Sequence, residues 1–236
     1  MHDREILASV VIAAAGKGSR MGMNENKQYM EILGKPVLAR TIQKFEDCRR
    51  INDIKVVVDG ADVEFCKENI IKRYGFGKVS EVVPGGPSRQ QSVYNGLKCL
   101  PADCGIVLIH DGARPFIDPR DIINCIDAAQ EYGAAVVAVP AKDTVKRSDT
   151  DGFVAETLER SNLWLVQTPQ GFRHGLIIEA HRKACEDGFA GTDDSVLVER
   201  LGHNVRIIRG NCLNIKITTK EDLVFAACIG ALPGNN

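Results

Sequence analysis

Val10-Val11-Ile12-Ala13-Ala14-Ala15-Gly16-Lys17-Gly18-Ser19-Arg20-Met21-Gly22, followed by Lys27-Gln28-Tyr29, decides how the rest of the chain is read. An apolar strand that breaks into a loop of small, basic, glycine-punctuated residues lays bare backbone N–H groups suited to phosphates. The spacing excludes two common phosphate binders. A dinucleotide fingerprint needs a third glycine three residues after the second, and that position is Met21. A Walker loop needs Gly-Lys-Ser/Thr five residues after its first glycine, and neither Gly16 nor Gly18 has one. Gly-x-Gly alone reads equally as a tight strand-to-helix turn. Arg20 and Lys27 favour the anion site, because they add two cations beside the same loop.

Outward from that strand, strand-like runs at 9–14, 54–59, 79–83, 105–109 and 134–139 alternate with helix-like stretches. Pro36 and Asp118-Pro119 open two of these helices, the second with an N-cap aspartate and proline at the first helical position. The alternation predicts an α/β fold, Rossmann-like and doubly wound, with a mostly parallel sheet covered on both faces. After Pro140 the rhythm changes. Segments 144–147 and 153–158 flank the turn-rich Ser148-Asp149-Thr150-Asp151-Gly152, which predicts a projecting β-hairpin arm at about 140–160. An isolated hairpin is marginal, so the arm is expected to pack on something, such as a second copy of the chain. A strand-like stretch at 163–167, helices near 174–187 and 195–201, a strand at 205–208 and a helix from about Thr219 complete one domain over 1–236.

Composition narrows the function. Of 236 residues, 30 Lys and Arg balance 31 Asp and Glu for a net charge of -1, so no basic stripe suggests nucleic-acid binding and the phosphate-binding cations must be local. The longest apolar runs, such as 10–15 and 134–140, are strand-sized, so no membrane partner is expected. Asp3, Arg4 and Glu5 do not form a signal pattern, and a cytoplasmic protein is expected. The eight cysteines are scattered with no Cys-x-x-Cys pair, and most are expected to be reduced, small buried hydrophobes.

In a doubly wound sheet, ligands bind at the carboxyl ends of the strands, and the unusual residues fall there. Asp111 at a strand end suits Mg²⁺, which takes carboxylate oxygens plus substrate phosphates; the alternative is a turn cap, common for Asp-Gly. Arg114 three residues on favours the metal. Ser92 reads as a helix cap or a ligand donor. Lys146 and Arg147 read as a solvated face, and Arg160 reads as an ion-pair partner of Glu159. Lys216, between Ile215 and Ile217 on a strand pattern, needs an anionic partner.

Taken in order, Ala13–Met21, Lys27-Gln28-Tyr29, Gly85-Gly86-Pro87-Ser88-Arg89-Gln90-Gln91-Ser92-Val93, Val107-Leu108-Ile109-His110-Asp111-Gly112-Ala113-Arg114-Pro115, Asp143-Thr144-Val145-Lys146-Arg147, Thr168-Pro169-Gln170, Thr192-Asp193 and Asn214-Ile215-Lys216 resemble one family. It is the 2-C-methyl-D-erythritol 4-phosphate cytidylyltransferases of the non-mevalonate route to isoprenoids, and the ordered set covers nearly the whole chain. The resemblance implies a homodimeric nucleotidyltransferase that joins CTP to methylerythritol phosphate with Mg²⁺, releasing pyrophosphate. By matched position, Ala14, Ala15, Gly16, Gly18 and Lys27 would hold the CTP phosphates. Gly86, Arg89 and Ser92 lie where the family surrounds cytosine, Asp111 would bind the metal and Gly112 would lie beside the ribose. Arg114, Thr168, Thr192 and Lys216 would surround the methylerythritol phosphate, with Thr144 and Arg160 reaching in from the other subunit's arm. Two departures stand out. Gly112 replaces an alanine common in the family, a change expected to be harmless. Ser195-Val196 replaces an expected Ala-Ser, which puts contacts from that loop in question.

Such a transfer needs positioning and charge stabilisation rather than a protein nucleophile. The catalytic residues expected from the resemblance are therefore cations: Lys27 with the metal at the leaving pyrophosphate, and Arg20 and Lys216 around the α-phosphorus. The rivals are a cytidylyltransferase acting on ribitol 5-phosphate and a nucleotide-binding regulator without catalysis.

Overall fold

The computed structural model describes residues 6–16, 27–101 and 103–232. The opening segment forms β1 (Ala8–Ala13) in the middle of a seven-stranded sheet, where Val10, Val11 and Ile12 are fully buried. Burying side chains of this size contributes roughly 1.5–3 kcal/mol each before entropy is counted. β1 pairs in parallel with β4 (Ile51–Val58) on one side and β6 (Ile106–Asp111) on the other. β5 (Val79–Pro84) extends the sheet beyond β4 as an edge strand. Val10 and Ile12 face a cluster with Leu38, Ile42 and Phe45, whereas Val11 faces Val93, Leu97 and Ile177. This two-sided burial makes the run continuously apolar rather than alternating.

The helices form where the sequence signals place them. After β2 (Glu31–Ile32) and β3 (Lys35–Pro36), a short antiparallel pair, α1 (Val37–Glu46) begins just after Pro36. α3 (Arg89–Lys98) is capped by Ser88, whose hydroxyl accepts from the Gln91 amide at 3.1 Å. α4 (Pro119–Tyr132) starts at Pro119, with the Asp118 carboxylate accepting from the Arg120 amide at 2.9 Å. α7 (Lys220–Gly230) is capped by Asp222, which accepts from the Thr218 and Thr219 amides. Between α1 and β4, and after β5, the chain follows the expected alternation; α2 (Val63–Cys66) and the turns that extend it cover the β4–β5 edge.

The second half departs from it. β7 (Ala134–Pro140) does not lie beside β6. A ten-residue strand, β10 (Trp164–Arg173), is inserted between them and runs antiparallel to both. The apolar stretch at 163–167 is thus the start of a longer strand that continues through Thr168-Pro169-Gln170. Its ladder with β7 is interrupted between Val166 and Gln170, where a proline lacks the N–H a ladder needs. α5 (His174–Glu186) and α6 (Ser195–Arg200) follow, and β11 (Arg206–Arg209) pairs in parallel with β7 at the far edge.

The predicted hairpin is present as β8 (Lys146–Ser148) and β9 (Val154–Thr157), an antiparallel pair outside the main sheet in which every residue is exposed. Gly152 sits in its turn at φ +89°, a conformation glycine adopts without strain. The cysteines correct one expectation. All eight are free thiols, but only Cys48, Cys66 and Cys125 are buried, while Cys185, Cys212 and Cys228 are exposed. Helical or loop position does not by itself select the inward face.

Candidate active site

Three loops leave the same edge of the sheet and touch one another. Ala13 at the end of β1 is in register with Asp111 on β6 and with Val57 on β4. The Gly112 amide donates to the Ala13 carbonyl at 2.9 Å, and the Gly85 amide donates to the Val58 carbonyl at 2.7 Å. A methyl group at Gly85 would stand 2.5 Å from the Ala15 Cβ, and one at Gly112 would stand 2.8 Å from the Ala14 Cβ. The start of the glycine-rich loop, at Ala14 and Ala15, is therefore pinned between the loops after β5 and β6. An alanine at Gly112 in this chain would require its neighbours to shift.

Asp111 is the centre of the charge. Arg89 Nε lies 3.1 Å from its Oδ1, and Lys216 Nζ lies 2.7 Å from its Oδ2, with Arg114 Nε at 3.6 Å. Burial pushes this carboxyl up, but Arg89, Lys216 and Arg114 outweigh burial and hold it well below the usual carboxylate range. Lys216 has the anionic partner its sequence position requires. It occupies irregular chain rather than a strand, fastened where the Ile217 amide donates to the Ala113 carbonyl at 2.9 Å.

A second carboxylate stands behind the first. Arg89 NH1 reaches Asp194 Oδ2 at 2.7 Å, and His181 Nε2 on α5 lies 3.3 Å from the other oxygen. Asp194 is 1% exposed. Among the described residues this ion-pair network sets three cations (Arg89, Arg114, Lys216) against two carboxylates (Asp111, Asp194), one positive charge in excess. An anionic ligand satisfies that excess.

Thr168 is buried behind Asp111, at the break in β10. Its Oγ1 accepts from the Asp111 amide at 3.0 Å and lies 3.1 Å from His110 Nδ1, while His110 Nε2 lies 3.0 Å from the Arg114 carbonyl. Burial pushes His110 down to about 4, so the ring is neutral near pH 7. Asn214 donates to the Thr168 carbonyl at 2.9 Å and takes Arg114 NH1 on its own carbonyl at 2.7 Å.

Ser92 is not the helix cap. It lies inside α3, buried, and its hydroxyl accepts from the Gly86 amide at 3.0 Å and donates to the Ser88 carbonyl at 2.8 Å, which braces the loop after β5. The 192–194 loop is held from β10. Gln170 donates to Asp193 at 2.8 Å and accepts from the Ser195 amide at 3.0 Å, and Asp193 caps α6 through the Val196 amide at 3.1 Å. The Ser195 hydroxyl joins that cap, so the altered residues support the loop from within.

Of the residues singled out in the sequence, the structure joins Arg89, Asp111, Arg114, Thr168 and Lys216 in one network, with Ala14, Ala15, Gly86 and Gly112 in the loops around it and Ser92 on α3. Gly16 is exposed directly beyond Ala15. Thr144, Arg160 and Thr192 are exposed, and the Arg160 guanidinium bonds the Lys142 carbonyl rather than Glu159. Gly18 and Arg20 lie outside the described residues. Lys27 begins a 3₁₀ turn, Lys27–Tyr29. Sequence reasoning assigned no role to His110, Asn214 or Asp194, which stood in the motifs, and none to His181, for which no local pattern exists.

A divalent cation tests the donor set. Among the described residues no three His, Cys, Asp or Glu groups converge to cage a metal. One ionised carboxylate at a strand end, Asp111, still fits Mg²⁺, which takes one or two carboxylates with substrate phosphates completing its shell.

The chain is similar to proteins of one kind. The family model described as 2-C-methyl-D-erythritol 4-phosphate cytidylyltransferase matches residues 8–230. A protein of that name from Caldanaerobacter subterraneus subsp. tengcongensis is 50% identical over 218 residues, covering 92% of this chain and 96% of that one. Another from Alkaliphilus oremlandii is 52% identical over 218 residues and 92% of each chain. The crystal structure of 4-diphosphocytidyl-2C-methyl-D-erythritol synthase from Anaerococcus prevotii superposes with a TM-score of 0.85 at 34% identity, covering 95% of this chain and 96% of that one. The 2-C-methyl-D-erythritol 4-phosphate cytidylyltransferase of Thermus thermophilus gives 0.79 at 32% identity, covering 96% and 100%.

Proposed function

The chain belongs to the 2-C-methyl-D-erythritol 4-phosphate cytidylyltransferase family, and we propose that the cradle around Asp111 is where it carries out that family's reaction. It is a nucleotidyltransferase that moves CMP from CTP to 2-C-methyl-D-erythritol 4-phosphate, giving 4-diphosphocytidyl-2-C-methyl-D-erythritol and pyrophosphate. One observation carries the assignment to the cradle: three cations converge on a buried carboxylate at the strand ends, beside the loop that opens at Ala14 and Ala15. Two polyanions repel, and a site with excess positive charge lets them approach.

The glycine-rich loop of Ala14, Ala15, Gly16 and Gly18, with Lys27, holds the CTP phosphates. Gly86 and Ser92 border the cytosine, and Gly112 the ribose. Arg89 sits at the same wall, with its guanidinium turned to Asp111 and Asp194. Arg114, Thr168, Thr192 and Lys216 surround the methylerythritol phosphate. Arg20 and Lys216 meet the charge that grows around the α-phosphorus, and Lys27 meets that of the leaving pyrophosphate. Asp111 would hold Mg²⁺, which would supply further charge neutralisation at the phosphates. No residue is asked to be a nucleophile, because in-line transfer needs positioning and electrostatic stabilisation.

The arm supports a homodimer. Phe153 and Val154 on it are 72% and 64% exposed, and Leu165 on the adjoining β10 is 58% exposed, an apolar surface that a second copy would cover. Thr144 and Arg160 at the base of the arm would then serve the partner's cradle. Eight free thiols suit a reducing, cytoplasmic setting.

Pyrophosphate release from CTP, measured with methylerythritol phosphate and with ribitol 5-phosphate, tests the assignment; equal or greater release with ribitol 5-phosphate defeats it. Lys27→Ala is expected to cut turnover by a factor on the order of a hundred, the size of losing one electrostatic stabiliser. Unchanged turnover would remove Lys27 from the leaving-group role.

A further inference from the structure

His110 is fully buried on β6, its ring edge-on to Phe45 with centroids 4.8 Å apart. Each ring nitrogen has one partner, and the partners dictate the tautomer. A carbonyl oxygen only accepts, so the nitrogen facing the Arg114 carbonyl, Nε2, carries the proton. Nδ1 is then an acceptor, and the hydrogen it takes is the hydroxyl proton of Thr168. The Thr168 oxygen in turn accepts the Asp111 amide. Asn214 closes the circuit, linking the Thr168 carbonyl to the Arg114 guanidinium. One imidazole thus ties together the end of β6, the loop that carries Arg114 and the break in β10.

We infer that His110 is a positioning residue for the alcohol-phosphate half of the reaction, its Nε2–H tautomer fixing Arg114 and Thr168 relative to Asp111. The inference rests on the assignment of Arg114 and Thr168 to that half. It has a chemical corollary. Thr168 has a single hydroxyl proton, and His110 holds it, so Thr168 acts by holding Asp111 in place and offers no hydrogen to a phosphate. Most of the CTP contacts proposed above come from the loops after β1 and β5, which none of the hydrogen bonds of this circuit reaches, so CTP binding is expected to be little affected by it.

The experiment is steady-state kinetics on the full chain with wild type, His110→Ala, His110→Asn, His110→Gln, Thr168→Val and the His110→Ala/Thr168→Val double variant, with a thermal melt for each. Asparagine keeps an acceptor near Nδ1, and glutamine keeps a donor near Nε2. KM for methylerythritol phosphate is expected to rise on the order of tenfold in His110→Ala, the size of losing a buried hydrogen bond, with KM for CTP within about twofold of wild type. Asparagine and glutamine should each recover part of the loss, and the double variant should lose less than the sum of the singles, because both singles break one circuit. The inference is overturned if both KM values rise together, if asparagine and glutamine do no better than alanine, or if the double variant is additive. Should the His110 variants not fold, Thr168→Val alone decides, since it removes the same proton from a near-isosteric side chain: a raised KM for methylerythritol phosphate with unchanged KM for CTP supports the circuit, and any other pattern overturns it. A wild-type enzyme inactive with methylerythritol phosphate defeats the functional assignment instead, and the two failures are therefore distinct.

Discussion

The cradle at the strand ends and the arm that leaves the sheet meet their physical needs in opposite ways. In the cradle, Asp111, Asp194 and His110 are buried and Arg89 and Arg114 partly so, and each has at least one partner more than fifty residues away in the chain. The arm has the reverse character. Its strands are exposed throughout, its Arg147–Glu156 ion pair at 2.8 Å is solvated, and Phe153 and Val154 stand in solvent. A buried charge is costly unless paired, so the cradle must be completed within the protomer. A two-stranded hairpin exposed on all sides is marginal by itself, which is why a second copy is proposed to cover the arm.

Asp111→Asn should have the largest effect. It removes the anion that three cations share, and turnover is expected to fall by roughly a hundred- to a thousandfold, with stability lower by roughly 3–5 kcal/mol. Turnover assays with urea unfolding would measure both, and turnover within about threefold of wild type would show that the cluster is scaffolding alone.

Asp194→Asn sharpens the contrast through pH. Burial pushes the Asp194 carboxyl up, yet Arg89 and His181 win and hold it below its ordinary range. The ionised form therefore favours the folded chain. Its contribution is complete above the unfolded carboxylate value, about 4, and is lost as pH falls through the lowered folded value. Between about pH 5 and pH 2 the wild type should lose more unfolding free energy than the asparagine variant. Parallel profiles in urea titrations would contradict the pairing.

Gly112→Ala is a smaller perturbation. A Cβ 2.8 Å from that of Ala14 and 3.2 Å from Leu38 Cδ1 should cost about 1–3 kcal/mol through overpacking. Differential scanning calorimetry showing no loss would mean that the loops after β1 and β6 slide apart freely.

Phe153→Asp should affect the protomer least. A surface substitution in the arm is expected to change its stability by less than about 0.5 kcal/mol, while abolishing the dimer in sedimentation experiments. If the wild type already sediments as a monomer at micromolar concentration, the arm has another purpose.

Sequence patterns rendered much of this molecule in advance, for identifiable reasons. β1, β6 and β7 are built on apolar runs, β4 and β5 carry shorter ones at Val56-Val57-Val58 and Val82-Val83, and Asp118-Pro119 and Ser88 announce helix starts, because periodicity and capping are local properties. The hairpin was legible from its turn residues. The antiparallel insertion of β10 was not, since a strand's neighbours depend on the whole sheet and its run of apolar residues says nothing of direction. Lys216 announced its need for an anion but not that the anion would be Asp111, 105 positions earlier in the numbering.

By itself, the order of residues determined that strand ends would carry a glycine-rich loop, an aspartate and several cations, and that a polar hairpin would project from the sheet. Only the tertiary structure decided that Arg89 is shared between Asp111 and Asp194, that His110 is a neutral Nε2–H tautomer, and that Thr168 turns inward. The reason is physical. A backbone preference is settled by a few neighbouring residues, whereas the state of a buried charge or proton is settled by whichever groups the finished fold brings within hydrogen-bonding distance.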